Sequence, residues 1–310
     1  KIMDIALGNN SPMNHPAIFD QIAQSVTYQK LNLSSQPTVT VKRLDQIHPY
    51  ISGNKFFKLK YNFSAAHHLG LNKVLTFGGA YSNHIAATAY AAHLLGIESV
   101  GIIRGEELAH QPLNHTLNLA AELGMQLHFV SREQYRQRDQ PEYLTALTQQ
   151  FPEYFIIPEG GTNALAIQGC KEILSHEDVQ NYDVICCAVG TGGTISGLIE
   201  ASSAQQTILG FSALKGDFLK RDIHKWTQKT NWQLTDAYCG AGYAKTTPEL
   251  LKFMQSFEIE HAIPLEQVYT AKMMKGILDL IQHHYFPYGS RILVIHTGGL
   301  QGRTNHRDQT

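Results

Sequence analysis

The chain has 310 residues, 43% of them hydrophobic and 16% charged, which supports a sizeable core and excludes a disordered or collagen-like chain. Lys plus Arg number 25 and Asp plus Glu 26, a formal net charge of -1, so the basic excess of a nucleic-acid binder is missing. By the usual domain size this length suggests about two domains.

Strand-like and helix-like segments alternate along the chain. Thr38 to Leu44 has β-branched alternation and reads as a strand. Phe57 to Leu69 has helical spacing and stops at Gly70. Lys73 to Phe77 is a short apolar strand before Gly78-Gly79, and Ser82 or Asn83 caps a helix that runs to about Leu95. Ser99 to Ile103 and Gln126 to Val130 are strands around a helix from Asn114 to Leu123. A helix from Pro141 to Phe151 precedes a strand from Tyr154 to Ile157. The second half repeats the theme, with helices at Asn163 to Leu174, Thr194 to Ser203, Thr247 to Phe257 and Thr270 to Tyr285. Its strands are Val184 to Val189, Ile208 to Ser212 and Arg291 to His296. This alternation implies parallel sheets with helices on their faces. The apolar stretch from Ala86 to Ile103 is broken by His93, Gly96 and Glu98, so it reads as helix then strand, not as a membrane span.

The four cysteines, Cys170, Cys186, Cys187 and Cys239, form neither a disulfide framework nor a CxxC motif. The sixteen histidines show no HExxH or other metal spacing, and no metal is expected. Lys1-Ile2-Met3-Asp4 lacks the apolar stretch of a signal peptide. The expectation is a soluble cytoplasmic protein with no membrane or nucleic-acid partner.

The sharpest local signal is Gly190-Thr191-Gly192-Gly193-Thr194-Ile195-Ser196-Gly197, which follows an apolar strand and opens a helix. Such a turn presents free backbone N–H groups and a helix N-terminus to an anion, and Thr191 and Thr194 add hydroxyls. A Rossmann fingerprint would need glycine where Ile195 stands. A P-loop would need Gly-Lys-Ser/Thr, and in a nucleophile elbow Ser196 is offset. The bland alternative is a tight turn with no ligand; four glycines and two threonines exceed what such a turn needs, so phosphate is the expected ligand.

The second signal is Ser52-Gly53-Asn54-Lys55-Phe56-Phe57-Lys58-Leu59. A lone Lys at a helix start is ordinarily a solvated charge. Beside a phosphate site, and with Lys58 one turn away, Lys55 would have a lowered pKa and an amine able to form a Schiff base. A phosphate cradle plus such a lysine is what pyridoxal phosphate requires. The third signal, Phe77-Gly78-Gly79-Ala80-Tyr81-Ser82-Asn83-His84, is again strand, glycine turn and helix start, suited to a carboxylate or to plain capping.

Together these segments resemble the tryptophan-synthase-β-like (fold type II) pyridoxal-phosphate enzymes. The likeness is closest to the 1-aminocyclopropane-1-carboxylate deaminase and D-cysteine desulfhydrase family. Further matching pieces are Pro158-Glu159-Gly160-Gly161-Thr162-Asn163-Ala164-Leu165, Gly242-Tyr243, Val268-Tyr269-Thr270-Ala271-Lys272 and His296-Thr297-Gly298-Gly299. The resemblance implies a two-domain α/β fold, with residues 1–50 and 160–310 as the large cofactor-binding domain and 51–159 as the small one, and the cofactor in the cleft between them. It implies a homodimer acting on a small amino acid. Lys55 would hold pyridoxal 5'-phosphate and move the substrate proton. Lys58, Thr191, Gly192, Gly193 and Thr194 would hold the phosphate, and Asn83 the ring hydroxyl. Ser82, Asn83 and His84 would lie near the substrate carboxylate, with Tyr243 and Tyr269 across the site; Ser82, Tyr243 and Tyr269 join Lys55 as catalytic candidates.

The family's deaminases carry Glu where Thr270 stands and Leu where Thr297 stands, whereas its desulfhydrases carry hydroxyls at both. A carboxylate at the pyridine nitrogen strengthens the electron sink, and a hydroxyl leaves it weaker. The resemblance therefore implies α,β-elimination, D-cysteine to pyruvate, hydrogen sulfide and ammonia. Deamination of 1-aminocyclopropane-1-carboxylate to 2-oxobutyrate is the alternative, and a non-catalytic cofactor-binding protein a third reading. Phe56-Phe57 and Ile85-Ala86-Ala87 depart from the family pattern and are expected to lie beside the site.

Overall fold

The structure, a computed structural model, describes residues 15–33, 36–240, 242 and 245–303. Ten strands form two sheets among them. They are β1 (Tyr28–Lys30), β2 (Thr38–Lys42), β3 (Lys73–Gly78), β4 (Glu98–Arg104), β5 (Gln126–Val130), β6 (Phe155–Ile157), β7 (Val184–Val189), β8 (Thr207–Ser212), β9 (Trp232–Thr235) and β10 (Arg291–Ile295). The six-stranded sheet runs β1-β2-β10-β7-β8-β9 and the four-stranded sheet β5-β4-β3-β6. Every pairing is parallel except that of the edge strand β1 with β2.

The continuous apolar runs of the central strands follow from burial on both faces. In β7, Ile185, Cys187 and Val189 enter a core that also contains the helical Leu59, Phe63 and Ile85. The alternate residues, Val184, Cys186 and Ala188, pack on the opposite face with Met274 and Ile277. In β3 the same alternation splits Val74 from Leu75 and Phe77, which pack with Tyr135 and Leu147. The adjacent cysteines thus belong to two different cores, and all four are buried free thiols.

Five helices frame the cleft: α1 (Asn54–His68), α2 (Asn83–Leu95), α3 (Ala164–Lys171), α4 (Gly193–Ala201) and α5 (Thr270–Gln282). Helices α1, α3 and α4 are drawn together through residues without side chains. A Cβ on Gly169 of α3 would sit 1.9 Å from the Phe57 carbonyl oxygen of α1. A Cβ on Gly197 of α4 would sit 2.4 Å from that of Cys170. This close stacking fixes Lys55 and Lys58 against the glycine turn ahead of α4.

Most elements lie where the sequence puts them, with ends shifted by a few residues. Helix α1 starts three residues earlier than Phe57, so Lys55 lies inside its first turn. The edge strands β1 and β9 were not expected, being short and without clean alternation. Among the described residues no helix is long and apolar enough to cross a membrane.

Candidate active site

A cleft of about 790 Å³ opens at the carboxyl ends of strands from both sheets. It is lined after β3 by Gly79 to His84, after β7 by Gly190 to Gly192 and Thr194, and after β10 by Thr297 to Gly299. In parallel sheets this is where ligands gather, because loops and helix N-termini face the same side.

Lys55 stands on the cleft wall and its Nζ donates to Asn54 Oδ1 at 3.1 Å. Asn54 in turn donates to Thr194 Oγ1 at 2.8 Å. Burial, and secondly the charge of Lys58, lower the Lys55 pKa from 10.5 to about 7. An uncharged, nucleophilic amine is therefore well populated at neutral pH. The lysine is aimed by Gly53, whose φ of +64° and lack of a Cβ let the chain pass Thr297, where a Cβ would lie 1.9 Å from the carbonyl oxygen.

Lys58, one turn on, is buried, and burial lowers its pKa as well. Its Nζ donates to the Gly160 carbonyl at 2.9 Å, Thr162 Oγ1 at 3.1 Å and Thr191 Oγ1 at 3.3 Å. The ammonium thus points at the turn ahead of α4, whose first N–H groups have no intrahelical partners. A Cβ on Gly193 would meet Thr162 Oγ1 at 2.8 Å and Lys58 Nζ at 3.2 Å.

On the other wall, Ser82 caps α2 by accepting from the Ile85 N–H at 3.3 Å. The N–H groups of Asn83 and His84, the first two of the helix, are left for a ligand. Asn83 Oδ1 is buried without a hydrogen-bond partner. Thr76 donates to the Ile157 carbonyl at 2.9 Å and lies 2.8 Å from His84 Nε2. With the Thr76 proton committed, the network assigns the His84 proton to Nε2 and leaves Nδ1 a bare acceptor. That Nδ1 is buried and unpartnered, and burial beside Lys55 and Lys58 holds the imidazole neutral, far below its ordinary pKa.

A family model described as pyridoxal-phosphate dependent enzyme matches residues 25–298. The chain belongs to the pyridoxal-phosphate dependent enzyme family. A putative 1-aminocyclopropane-1-carboxylate deaminase of Thermotoga maritima is 32% identical over 286 residues, covering 85% of this chain and 89% of the relative. A mitochondrial bifunctional D-cysteine desulfhydrase/1-aminocyclopropane-1-carboxylate deaminase of Arabidopsis thaliana is 30% identical over 308 residues, 90% of this chain and 77% of the relative. A crystal structure of a 1-aminocyclopropane-1-carboxylate deaminase homologue superposes with a TM-score of 0.81 at 24% identity, covering 96% and 98% of the two chains. Similarity to the two sequence relatives thus spans nearly the whole chain, and the superposition shows a shared fold.

The cleft suits the cofactor of this pyridoxal-phosphate dependent family. The donors around Gly193 form a cradle suited to an anion, Lys55 supplies the amine, and the orphan Asn83 Oδ1 can accept from a donor such as a ring hydroxyl. Of the residues singled out in the sequence, Lys55, Lys58, Ser82, Asn83, His84, Thr191, Gly192, Thr194, Tyr269 and Thr297 line one cleft. Gly193 stands against it, next to Lys58. Tyr243 lies outside the described residues.

Two expectations need correction. Thr270 does not line the cleft: its hydroxyl accepts from the Glu266 N–H at 2.9 Å and lies 3.3 Å from the Glu266 carbonyl, so it closes the turn into α5. Phe56-Phe57 and Ile85-Ala86-Ala87 are core residues off the cleft; Phe56 packs edge-on against Phe19.

The sequence reading missed four charged residues of the wall: Glu266, Arg104, Arg138 and Glu159. Glu266 is buried and its carboxylate accepts the N–H groups of Val268, Tyr269 and Thr270, at 2.7, 2.8 and 2.6 Å. An acid four residues before a helix start is the signal that could have found it. Arg104 ends a strand, and Glu159 lies inside a family segment already singled out.

Proposed function

We propose that this enzyme performs α,β-elimination on a small β-substituted amino acid, with D-cysteine the leading substrate, giving pyruvate, hydrogen sulfide and ammonia. The observation that carries the reading is Lys55: a half-buried lysine whose pKa is lowered to about 7, set between an anion cradle and the N-terminus of α2. Pyridoxal phosphate, when bound, supplies an electron-withdrawing ring that stabilises negative charge at the substrate Cα. Lys58, Thr191, Thr194 and the first N–H groups of α4 would bind and orient its phosphate. The N–H groups of Asn83 and His84, with the Ser82 hydroxyl, would fix the substrate carboxylate. Lys55, once its amine is displaced, would take the Cα proton, for which a pKa near neutrality suits it. Tyr269, its ring against Gly190, would face the substrate from the other side, and we propose that Tyr243 also acts on the substrate.

The preference for desulfhydration over cyclopropane opening rests on Thr297, which lines the cleft where the resembled deaminases carry Leu. The deaminase reading keeps its place because the relatives' names carry both activities. We assign residues 51–159 to a small domain and 1–50 with 160–310 to a large one. Confinement of the four-stranded sheet to residues 73–157 supports this division. We further propose a cytoplasmic homodimer, to be checked by light scattering and by localising a tagged protein; buried free thiols suit a reducing compartment.

The deciding experiment incubates cofactor-loaded protein with D-cysteine and, separately, 1-aminocyclopropane-1-carboxylate, and identifies the keto acid by mass spectrometry. Pyruvate from D-cysteine, absent with Lys55→Ala, is expected. 2-Oxobutyrate from the cyclopropane alone would replace the first reading with the second. Neither product, with the cofactor bound, would leave a carrier role.

A further inference from the structure

The charged groups of the cleft do not cancel. Lys58 and Lys55 face the cradle and the cofactor's place. Glu266 is held by three N–H groups. Arg138 pairs with Glu159 at 2.7 Å, and the Tyr135 hydroxyl donates to the same carboxylate at 2.7 Å. This leaves Arg104, at the carboxyl end of β4. Among the described residues no carboxylate reaches ion-pair distance of its guanidinium, whose centre lies 5.9 Å from the centroid of the Tyr135 ring. Its Nη2 would stand 3.5 Å from a Cβ on Gly79, beside the turn that opens α2. The Tyr135 face also meets Arg138, at 5.2 Å, so one clamped ring borders both cations. The α-carboxylate is assigned above to the N–H groups of Asn83 and His84, so the spare cation is available to a second anion. A guanidinium matches an oxyanion with two parallel hydrogen bonds.

We propose that Arg104 forms an anion subsite, so that the same elimination extends to α-amino acids whose β-substituent is anionic, such as a phosphate or sulfate ester; this rests on the elimination proposed above. For serine O-phosphate the chemistry balances without a further reagent. Lys55 removes the Cα proton, the Cβ–O bond breaks with its electron pair on the phosphate oxygen, and the proton ends on that phosphate. The enamine released tautomerises and one water hydrolyses it to pyruvate and ammonia. Arg104 holds the departing oxyanion, where negative charge grows as the bond breaks.

The test measures kcat/KM of cofactor-loaded wild type and Arg104→Gln for both enantiomers of serine O-phosphate and of β-chloroalanine, whose leaving group is neutral in the substrate. A loss of about tenfold or more is expected for the phosphate ester in the variant, with β-chloroalanine changed less than twofold. Equal losses on both, or none on the ester, overturn the subsite. If neither compound is eliminated, the elimination reading fails, and calorimetric binding of 2-amino-3-phosphonopropionate decides the subsite by itself. Binding at least tenfold weaker in Arg104→Gln supports it, and equal or absent binding overturns it.

Discussion

Lys55 and Lys58 occupy one helix face a turn apart on the same cleft, Lys55 half-buried and Lys58 buried. Burial disfavours the ammonium of each, and the charge of Lys58 further disfavours that of Lys55. In the cofactor-free protein, acylation of Lys55 by an amine reagent, followed by peptide mass spectrometry, should titrate with a midpoint near 7. Lys58→Met removes the like charge and should move that midpoint upward; an unchanged midpoint would leave burial as the whole cause. The same lysine contributes to stability in a defined direction. Its folded pKa lies below the unfolded value, so the unfolded chain binds more protons between about pH 7 and 10.5, and the contribution of Lys55 to stability rises with pH across that window. The lysines were legible in the sequence because their roles depend on local spacing. The His84 tautomer was not, because it is set by Thr76 and Ile157 across the sheet. Nor was the withdrawal of Thr270, because a hydroxyl at a helix start can face a ligand or close its own turn, and only packing chooses.

Among the elements, α1, α3 and α4 transmit the sequence pattern into site geometry. Gly169 admits the Phe57 carbonyl to a place its own Cβ would fill. Gly169→Ala puts a methyl group against backbone, which cannot rotate away as a side chain could, so α1 must shift. A loss of about 1–3 kcal/mol of stability is expected, read as a lower urea midpoint. Cofactor affinity should fall with it, since Lys55 and Lys58 ride on α1. An alanine variant with unchanged midpoint and affinity would show that the stack is not what positions the lysines. Periodicity revealed that α1, α3 and α4 exist but not that they touch. Glycine within a helix reads from sequence as a mere weakness, and its use as a contact point appears only when the neighbouring helix is in place. Edge strands β1 and β9 were hidden for a related reason: three or four half-exposed residues give no alternation to read.

At the scale of the molecule, a single cleft is built from both sheets: the glycine turn after β7 and Thr297 after β10 on one side, the Ser82 turn after β3 on the other. A cofactor seated there contacts elements separated by more than a hundred residues of chain, none of which are assembled in the unfolded state. Binding to the native state alone stabilises it by about 2.7 kcal/mol at a free ligand concentration of about 100 Kd. For a chain of this size that corresponds to a rise in Tm of roughly 5 °C, read by calorimetry with and without pyridoxal phosphate. Lys58→Met leaves the Lys55 amine in place but removes the only ammonium that bonds to Gly160, Thr162 and Thr191 among the described residues. The rise should therefore shrink at the same total cofactor concentration and return only as the concentration is increased. Dialysis against cysteine, which draws the aldehyde away, should return the wild type to its lower Tm. A full rise in Lys58→Met at every concentration would mean that the phosphate is held by backbone N–H groups and threonine hydroxyls alone, and that the buried lysine serves only to depress the pKa of its neighbour.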